Sequence, residues 1–288
     1  MGMGFNPIKA LFTGIGTVCV GVGALLSILC IINQTQHNIA FQNIYFIQLN
    51  TTSIFSVANQ TAVVNNTSNL LNELTGTLVD TLETYIDQGA TDLIEQVEQE
   101  MKDVSELPDW YSIGLWNYCQ GNSSDYTNPT YCSTPSPSYY FNPLTMLETS
   151  INNATGSQIN ITLPSEVDLG LKVLKGACYA MRAMYILGFI FFALTIVSIV
   201  ISCLPFFGPL FLNVFSFFAT IFTFIAAVIA VATYRIAISE LEKNIEILNI
   251  PIVLGKKIYA YSFLSAAAGL AACILYFIGN LTSGYSPL

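Results

Sequence analysis

Apolar residues fill four stretches of the chain almost without polar interruption: residues 10–32, 184–204, 210–234 and 260–281. A helix needs about 20 mostly apolar residues to cross a hydrocarbon core, so each stretch predicts a transmembrane helix. Directly after the first, NIYFIQLNTTSIFSV (43–57) alternates apolar and polar positions and is rich in Ile, Phe and Thr, the pattern of a strand on a half-buried sheet. From residue 69 to 104 the period lengthens. Leu71, Leu74, Leu78, Leu82 and Ile86, then Leu93, Val97, Met101 and Val104 beyond Gly89, recur at three- and four-residue steps. That spacing predicts an amphipathic helix pair, or one helix broken at Gly89. WYSIGLW (110–116) and YYFN (139–142) read as strands again, and Pro129, Pro135, Pro137 and Pro143 break any helix near them.

The expected layout is an N-terminal segment 1–9, helix 10–32, a long loop 33–183, helix 184–204, a tight turn 205–209, helix 210–234, a short loop 235–259, helix 260–281 and a tail 282–288. Within the long loop, residues 107–143 form a strand-and-turn module stapled by Cys119 and Cys132, a closure that contributes roughly 3 kcal/mol. Composition agrees with the membrane reading. The chain is 53% hydrophobic and only 9% charged, whereas soluble domains carry about a quarter charged residues. A cleaved signal peptide is the rival account of the first stretch. Its 23 uncharged residues exceed the roughly 7–15 of a signal's apolar region, and no small-x-small cleavage site follows, so a retained helix is expected.

The net charge of −9 is concentrated: 15 of the 18 acidic residues lie between residues 34 and 178, against three lysines. An acidic loop and the lack of a basic surface exclude nucleic-acid binding. The same loop carries Asn-x-Ser/Thr acceptors at Asn50, Asn59, Asn65, Asn66, Asn122, Asn153 and Asn160. Together with the cysteine pair these place it on the oxidising, extracellular side, with both termini cytosolic. The basic residues lean the other way. Only Lys9 lies inside in that orientation, while Lys172, Lys175, Arg235, Lys243, Lys256 and Lys257 flank helices outside. Long translocated loops are poorly governed by charge, so the extracellular placement stands.

Candidate chemistry is sparse. The one histidine, His37, cannot build a Ser/His/Asp or Cys/His set, and the loop cysteines have no metal-ligand spacing, so no enzyme, metal site or cofactor is expected. The acidic face of the 69–104 segment reads as a solvated surface, with calcium capture as the alternative, although it has no EF-hand loop. No Asp, Glu or Lys interrupts a span, which argues against an ion path; Asn213 reads as interhelical hydrogen bonding. Gly14, Thr17 and Gly21 share a face with Ala24, and Ser265 and Gly269 share one with Ala272, small-residue surfaces that allow membrane helices to approach closely.

IGLWNYC followed by a second cysteine resembles the signature of the first extracellular loop in the claudin superfamily of four-helix membrane proteins. The fuller string is similar to the fungal Sur-seven/PalI tetraspan family. The residues that carry it are Leu107, Pro108, Tyr111, Gly114, Leu115, Trp116, Tyr118, Cys119 and Gly121, then Cys132, then Tyr140, Phe141, Asn142 and Pro143. A second match, IPIVLGKKIYAYSFLSAA (250–267), leads into the last helix. Trp110 lies only four residues before Gly114 and is not equated with the upstream tryptophan of claudins, and the tail here is shorter than the cytosolic tail of many members.

The resemblance implies a mainly α membrane protein: a four-helix transmembrane bundle with a claudin-like extracellular module of short strands plus an amphipathic helix. It further implies a plasma-membrane protein of stable, eisosome-associated lateral domains that supports cell-wall organisation, stress response and endocytic patterning. Its partners would be membrane lipids, copies of itself or other membrane proteins, and the cell wall. The alternatives are a regulator of calcium influx during mating or cell fusion, and an accessory of PalI-type ambient-pH signalling. Trp116 serves either the module's own small core or a partner contact.

Overall fold

The computed structural model describes residues 7–34, 43–51, 108–122, 129–142, 146, 165–201, 208–244 and 252–283. Its helices are α1 (Pro7–Ile31), α2 (Ser165–Ile201), α3 (Gly208–Asn244) and α4 (Lys256–Ser283). Each contains a stretch long and apolar enough to cross a membrane: Pro7–Ile31, Leu171–Val200, Leu210–Ser239 and Lys256–Thr282. This is the build of a multi-pass membrane protein. Hydropathy marks only the part of a helix that sits in hydrocarbon, so α2 begins well before residue 184. At 37 residues each, α2 and α3 extend about 55 Å, against a hydrocarbon core of about 30 Å. Their surplus turns carry the bundle outward to meet a small sheet.

The helices pack in a ring, α1 between α2 and α4, and α3 against both α2 and α4. Polar side chains close the contacts inside it. Ser265 Oγ donates to the Gly23 carbonyl at 2.8 Å and lies 3.0 Å from Ser27 Oγ, while Ser216 Oγ donates to the Gly269 carbonyl at 3.1 Å. The buried stripe of α1 is Gly16, Val20, Gly23, Ala24, Ser27 and Cys30. The rings of Tyr276 and Phe192 set it, since a methyl at Gly16 or Gly23 would come within 2.8 or 2.7 Å of them. Gly14 and Gly21 sit two residues away, about 200° around the helix, and nothing lies within 4 Å of a methyl added at either. Thr17 turns its hydroxyl back onto the Thr13 carbonyl at 2.8 Å. Ser265 and Gly269 therefore stand at helix contacts within the chain, whereas Gly14 and Gly21 face away from it.

The sheet is antiparallel throughout, in the order β4-β3-β2-β1-β5, from β1 (Ile47–Asn50), β2 (Trp110–Ile113), β3 (Tyr118–Gly121), β4 (Tyr131–Cys132) and β5 (Ile252–Leu254). β1 and β2 form where alternation predicts them, in the register Ile47↔Ile113 and Asn50↔Trp110. Their bundle-facing side chains, among them Ile47, Tyr111 and Ile113, join one buried cluster with Phe46, Tyr185, Tyr234 and Ile258. Phe46 stacks on Tyr234 at 5.0 Å between ring centroids, and Tyr259 donates its hydroxyl to the Phe46 carbonyl at 3.2 Å. The opposite face carries Trp110, whose indole covers Gly121: a methyl there would meet the ring at 2.5 Å.

Two expectations change. The Ile-rich stretch before α4 is an edge strand, β5, pairing Ile47 with Leu254 and tying the short loop to the long one. At its end Gly255 approaches Tyr45 so closely that a Cβ would stand 1.6 Å from the Tyr45 carbonyl oxygen, a space only glycine leaves open. Residues 139–142 are not a strand. The Tyr139 carbonyl, like that of Pro137 nearby, is taken by Arg182 of α2 instead of a neighbouring strand. The amphipathic segment 69–104, His37, and the acceptors Asn59, Asn65, Asn66, Asn153 and Asn160 lie outside the described residues.

Candidate functional site

The β2–β3 hairpin turns through Gly114, Leu115, Trp116 and Asn117, and this turn is where the sheet meets the bundle. It closes through the Gly114 N–H donating to the Asn117 carbonyl at 2.9 Å. The end of α1 then reads the turn residue by residue. The Leu115 N–H donates to Asn33 Oδ1 at 2.8 Å, the Trp116 indole N–H to the Ile31 carbonyl at 2.6 Å, and the Asn117 amide to the Gln34 carbonyl at 2.8 Å. The last carbonyls of a helix have no partner within it, and Trp116 satisfies one of them. Gln34 takes the left-handed conformation, φ 58°, that bends the chain off the helix, and its Oε1 accepts from Ser112 at 3.0 Å. Gly114 is required by that approach, since a Cβ would stand 2.7 Å from the Gln34 side chain.

Arg182 holds the turn from the other side. It projects from α2, is 6% exposed, and donates to the carbonyls of Leu115 (3.0 Å), Pro137 and Tyr139. Its guanidinium also lies over the Trp116 ring, 4.7 Å from the centroid, and 5.5 Å from that of Tyr179. A buried cation is costly unless donors and acceptors match. Here backbone oxygens and an aromatic face take the place of a carboxylate. Tyr179 adds a bond of its own, its hydroxyl donating to the Ser138 carbonyl at 3.0 Å.

Beyond the turn, Cys119 and Cys132 are direct cross-strand partners joined by a disulfide, S–S 2.02 Å. Asn117 Nδ2 also donates to the Ser133 carbonyl at 3.1 Å, and the Ser136 N–H to the Trp116 carbonyl at 2.9 Å, so the chain after β4 is laid back along the turn. Tyr118 lies among Tyr111, Tyr131 and Tyr139, with ring centroids 6.3, 6.3 and 6.4 Å away. Burial first, then the neighbouring Tyr131 and Tyr111 phenols, push the Tyr118 phenol up to about 12. Burial likewise holds the Tyr139 phenol well above its ordinary value, followed by Cys178 and Tyr118, with Arg182 acting in the opposite direction.

The structure thus brings Gly114, Leu115, Trp116, Tyr118, Cys119 and Cys132 into one junction and adds Arg182, Asn117, Asn33 and Gln34, which sequence reasoning did not single out as site residues. Arg182 had a legible signal: a charged residue next to an apolar span usually has a buried partner. Asn33 and Gln34 had none, because polar residues at a helix exit are ordinary, and neither had Asn117, a polar residue in a turn. Ser265 and Gly269 are far from this junction along α4. Of the glycan acceptors within the described residues, Asn122 is exposed just past β3, and Asn50 is half-buried in β1. Among the described residues no three His, Cys, Asp or Glu side chains group closely enough to hold a metal ion.

The arrangement does mechanical work: it fixes a disulfide-stapled sheet rigidly onto the ends of two membrane helices. Fold and junction together define a tetraspan membrane protein whose two loops build one sheet module. A family model described as the SUR7/PalI family matches residues 12–275, nearly the whole chain. The chain belongs to the SUR7/PalI family.

Proposed function

We propose that this protein is a non-enzymatic organiser of the plasma membrane, with both termini cytosolic and the sheet extracellular. In that reading it gathers into stable, eisosome-associated lateral domains and supports cell-wall organisation, stress response and endocytic patterning. Family membership over residues 12–275 carries the reading. The disulfide supports the orientation, since such bonds persist on the oxidising side of a membrane. Two features suit assembly. The sheet is bonded to α1 and α2 and so moves with the helices, and α1 turns Gly14 and Gly21 outward, where a neighbouring helix of a second copy or another membrane protein can approach closely. Partners are then lipids, membrane proteins and the wall-facing surroundings of the sheet.

Live imaging of a tagged copy tests this directly. Stable patches with slow recovery after photobleaching are expected, and Gly21→Leu should speed recovery without changing the amount of folded protein. Uniform, rapidly recovering fluorescence would refute the organiser reading. Enrichment confined to fusion tips would instead favour control of calcium influx.

A further inference from the structure

The face of the sheet that covers the bundle does not end where the bundle does. Directly paired residues of neighbouring strands point the same way, and so do alternate residues of one strand. The pairs Ile113↔Tyr118, Tyr111↔Gln120 and Gln120↔Tyr131 therefore put Tyr118 and Tyr131 on the same face as Ile113 and Tyr111, the face turned to the helices. Exposure rises along that face towards β4. Ile113 is fully buried, Tyr111 is 7% exposed, Tyr118 is half-buried and Tyr131 is 49% exposed. The β4 edge thus overhangs the bundle with a tyrosine on its underside.

What lies beneath it is set by α2. The segment after β4 is bonded to that helix within the stretch apolar enough to cross a membrane, Leu171–Val200: Arg182 takes the Pro137 and Tyr139 carbonyls, and Tyr179 takes that of Ser138. Counted back from Val200, a hydrocarbon core of about 30 Å takes about 20 helical residues and ends near residue 180. Tyr179 then stands at the boundary and Lys175 one turn above it, about 6 Å further out, in the headgroup layer. Lys175 Nζ lies 5.3 Å from the centre of the Tyr140 ring and 5.9 Å from that of Tyr179. Tyrosine and lysine at this level are the side chains that suit a membrane interface, since each joins an apolar body to a polar tip. From Tyr140 the aromatic surface runs back to the sheet: its neighbour Tyr139 stacks on Tyr118 at 6.4 Å, and Tyr118 lies 6.3 Å from Tyr131.

We propose that the β4 edge rests on the membrane, with Tyr131 and Tyr140 seated among the headgroups of the sheet-side leaflet. Their hydroxyls donate to phosphate and glycerol-ester oxygens, Lys175 stands beside them at the level of the phosphates, and Tyr118 and Tyr139 back the contact from inside. The lipid it fits is a zwitterionic phospholipid such as phosphatidylcholine, because neutral phenols need acceptor oxygens and no net negative charge. The contact rests on the four spans and the sheet register alone; it depends neither on the lateral-domain reading nor on which side of the membrane carries the sheet.

The test uses the full chain in phosphatidylcholine nanodiscs, with Tyr131→Trp as a fluorescent probe and bromine on the acyl chains as a contact quencher; the parent emission of Trp110 and Trp116 is subtracted. The added emission should be lost mainly to phosphatidylcholine brominated near the headgroup end of its chains, less to phosphatidylcholine brominated near the methyl end, and little to aqueous iodide. Tyr140→Trp is a second probe with the same expected pattern, so the outcome does not hang on one substitution in an edge strand. Val253→Trp is the control. Val253 is equally exposed at 49%, but it pairs with Gln48, the partner of Ser112, on the face turned away from the helices, so iodide should quench it and neither lipid should. Iodide quenching of the Tyr131 and Tyr140 probes as strong as that of the control would place the edge in water. Protection from iodide and from both lipids would mean that protein, such as a second copy, covers the face, and stronger quenching by the deep bromine would place the tyrosines in hydrocarbon. Each of these three results would overturn the proposal.

Discussion

Replacing Arg182 with Met removes the charged side chain by which α2 grips the hairpin turn and the segment after β4 together. The variant leaves the carbonyls of Leu115, Pro137 and Tyr139 without their charged donor, and Trp116 without the cation over its ring. A hydrogen bond to a charged group is worth about 1.5–3 kcal/mol and a desolvated cation–π contact about 2 kcal/mol. The gross loss is therefore large. Against it stands relief of the guanidinium's own burial, several kcal/mol, and its Nε has no acceptor among the described residues. Breaking comparable buried charge networks costs about 3–5 kcal/mol net. At about 2–4 °C per kcal/mol for a chain of this size, the midpoint should fall by roughly 6–20 °C. Arg182→Lys should recover only part, since one ammonium cannot reach three separated carbonyls as a planar fork does. Thermal unfolding of nanodisc-embedded protein measures the shift. Maleimide labelling of Cys178, 3% exposed and one turn before Arg182 on α2, reports whether the junction has opened. A Met variant that melts within 2 °C of the parent and leaves Cys178 equally protected would refute the clasp, and with it the claim that sheet and helices move as one body.

Further outcomes follow from the same geometry. Cys119→Ser and Cys132→Ser should each lower stability by roughly 3 kcal/mol, the loop-closure contribution for a separation of 13 residues, and reduce surface delivery; nonreducing peptide mapping of the parent should recover the Cys119–Cys132 link. Asn122→Gln should remove one glycosidase-sensitive step in gel mobility, whereas Asn50→Gln, in a strand paired on both sides, should remove none. The raised Tyr118 phenol favours the neutral form in the folded state, so its contribution is complete below the ordinary value of 10.0 and is lost as pH rises towards about 12. The melting temperature should accordingly drop between pH 10 and 12, and by less in Tyr118→Phe.

The helices were legible because a hydrocarbon solvent imposes length and composition directly on sequence. Their outer ends were not. Residues such as Lys172, Lys175 and Arg182 lower the local hydropathy, yet α2 continues through them because its role there is to carry the sheet. Alternation found β1 and β2, where one face of each strand is buried against the cluster around Phe46. It did not find β5, three residues long and marked only by β-branched composition, because its place depends on a partner some 200 residues earlier. YYFN misled for the opposite reason: aromatic content gave it the look of a strand, while its neighbourhood supplied an arginine donor before any strand partner. The small faces of the helices divided similarly. Periodicity identifies which residues share a face, but which face turns inward is set by large rings on other helices, Tyr276 and Phe192, that need a glycine opposite them.

Trp116 shows why a signature residue can be conspicuous without being free. Its N–H is spent on the last turn of α1 and its ring on Arg182 of α2, so the side chain that looks most suited to a partner is already an intramolecular bolt. Surfaces left open for assembly must then lie elsewhere. The outward face of α1 bearing Gly14 and Gly21 offers close approach to a second helix. Because α1 packs between α2 and α4, its outward glycines belong to a different side of the ring from α3. A copy docking on α1 would leave the junction at Trp116 and Arg182 untouched, so helix association and the stability of the sheet can be varied independently. Loss of patches in Gly21→Leu with the melting temperature unchanged is the combination that this geometry requires.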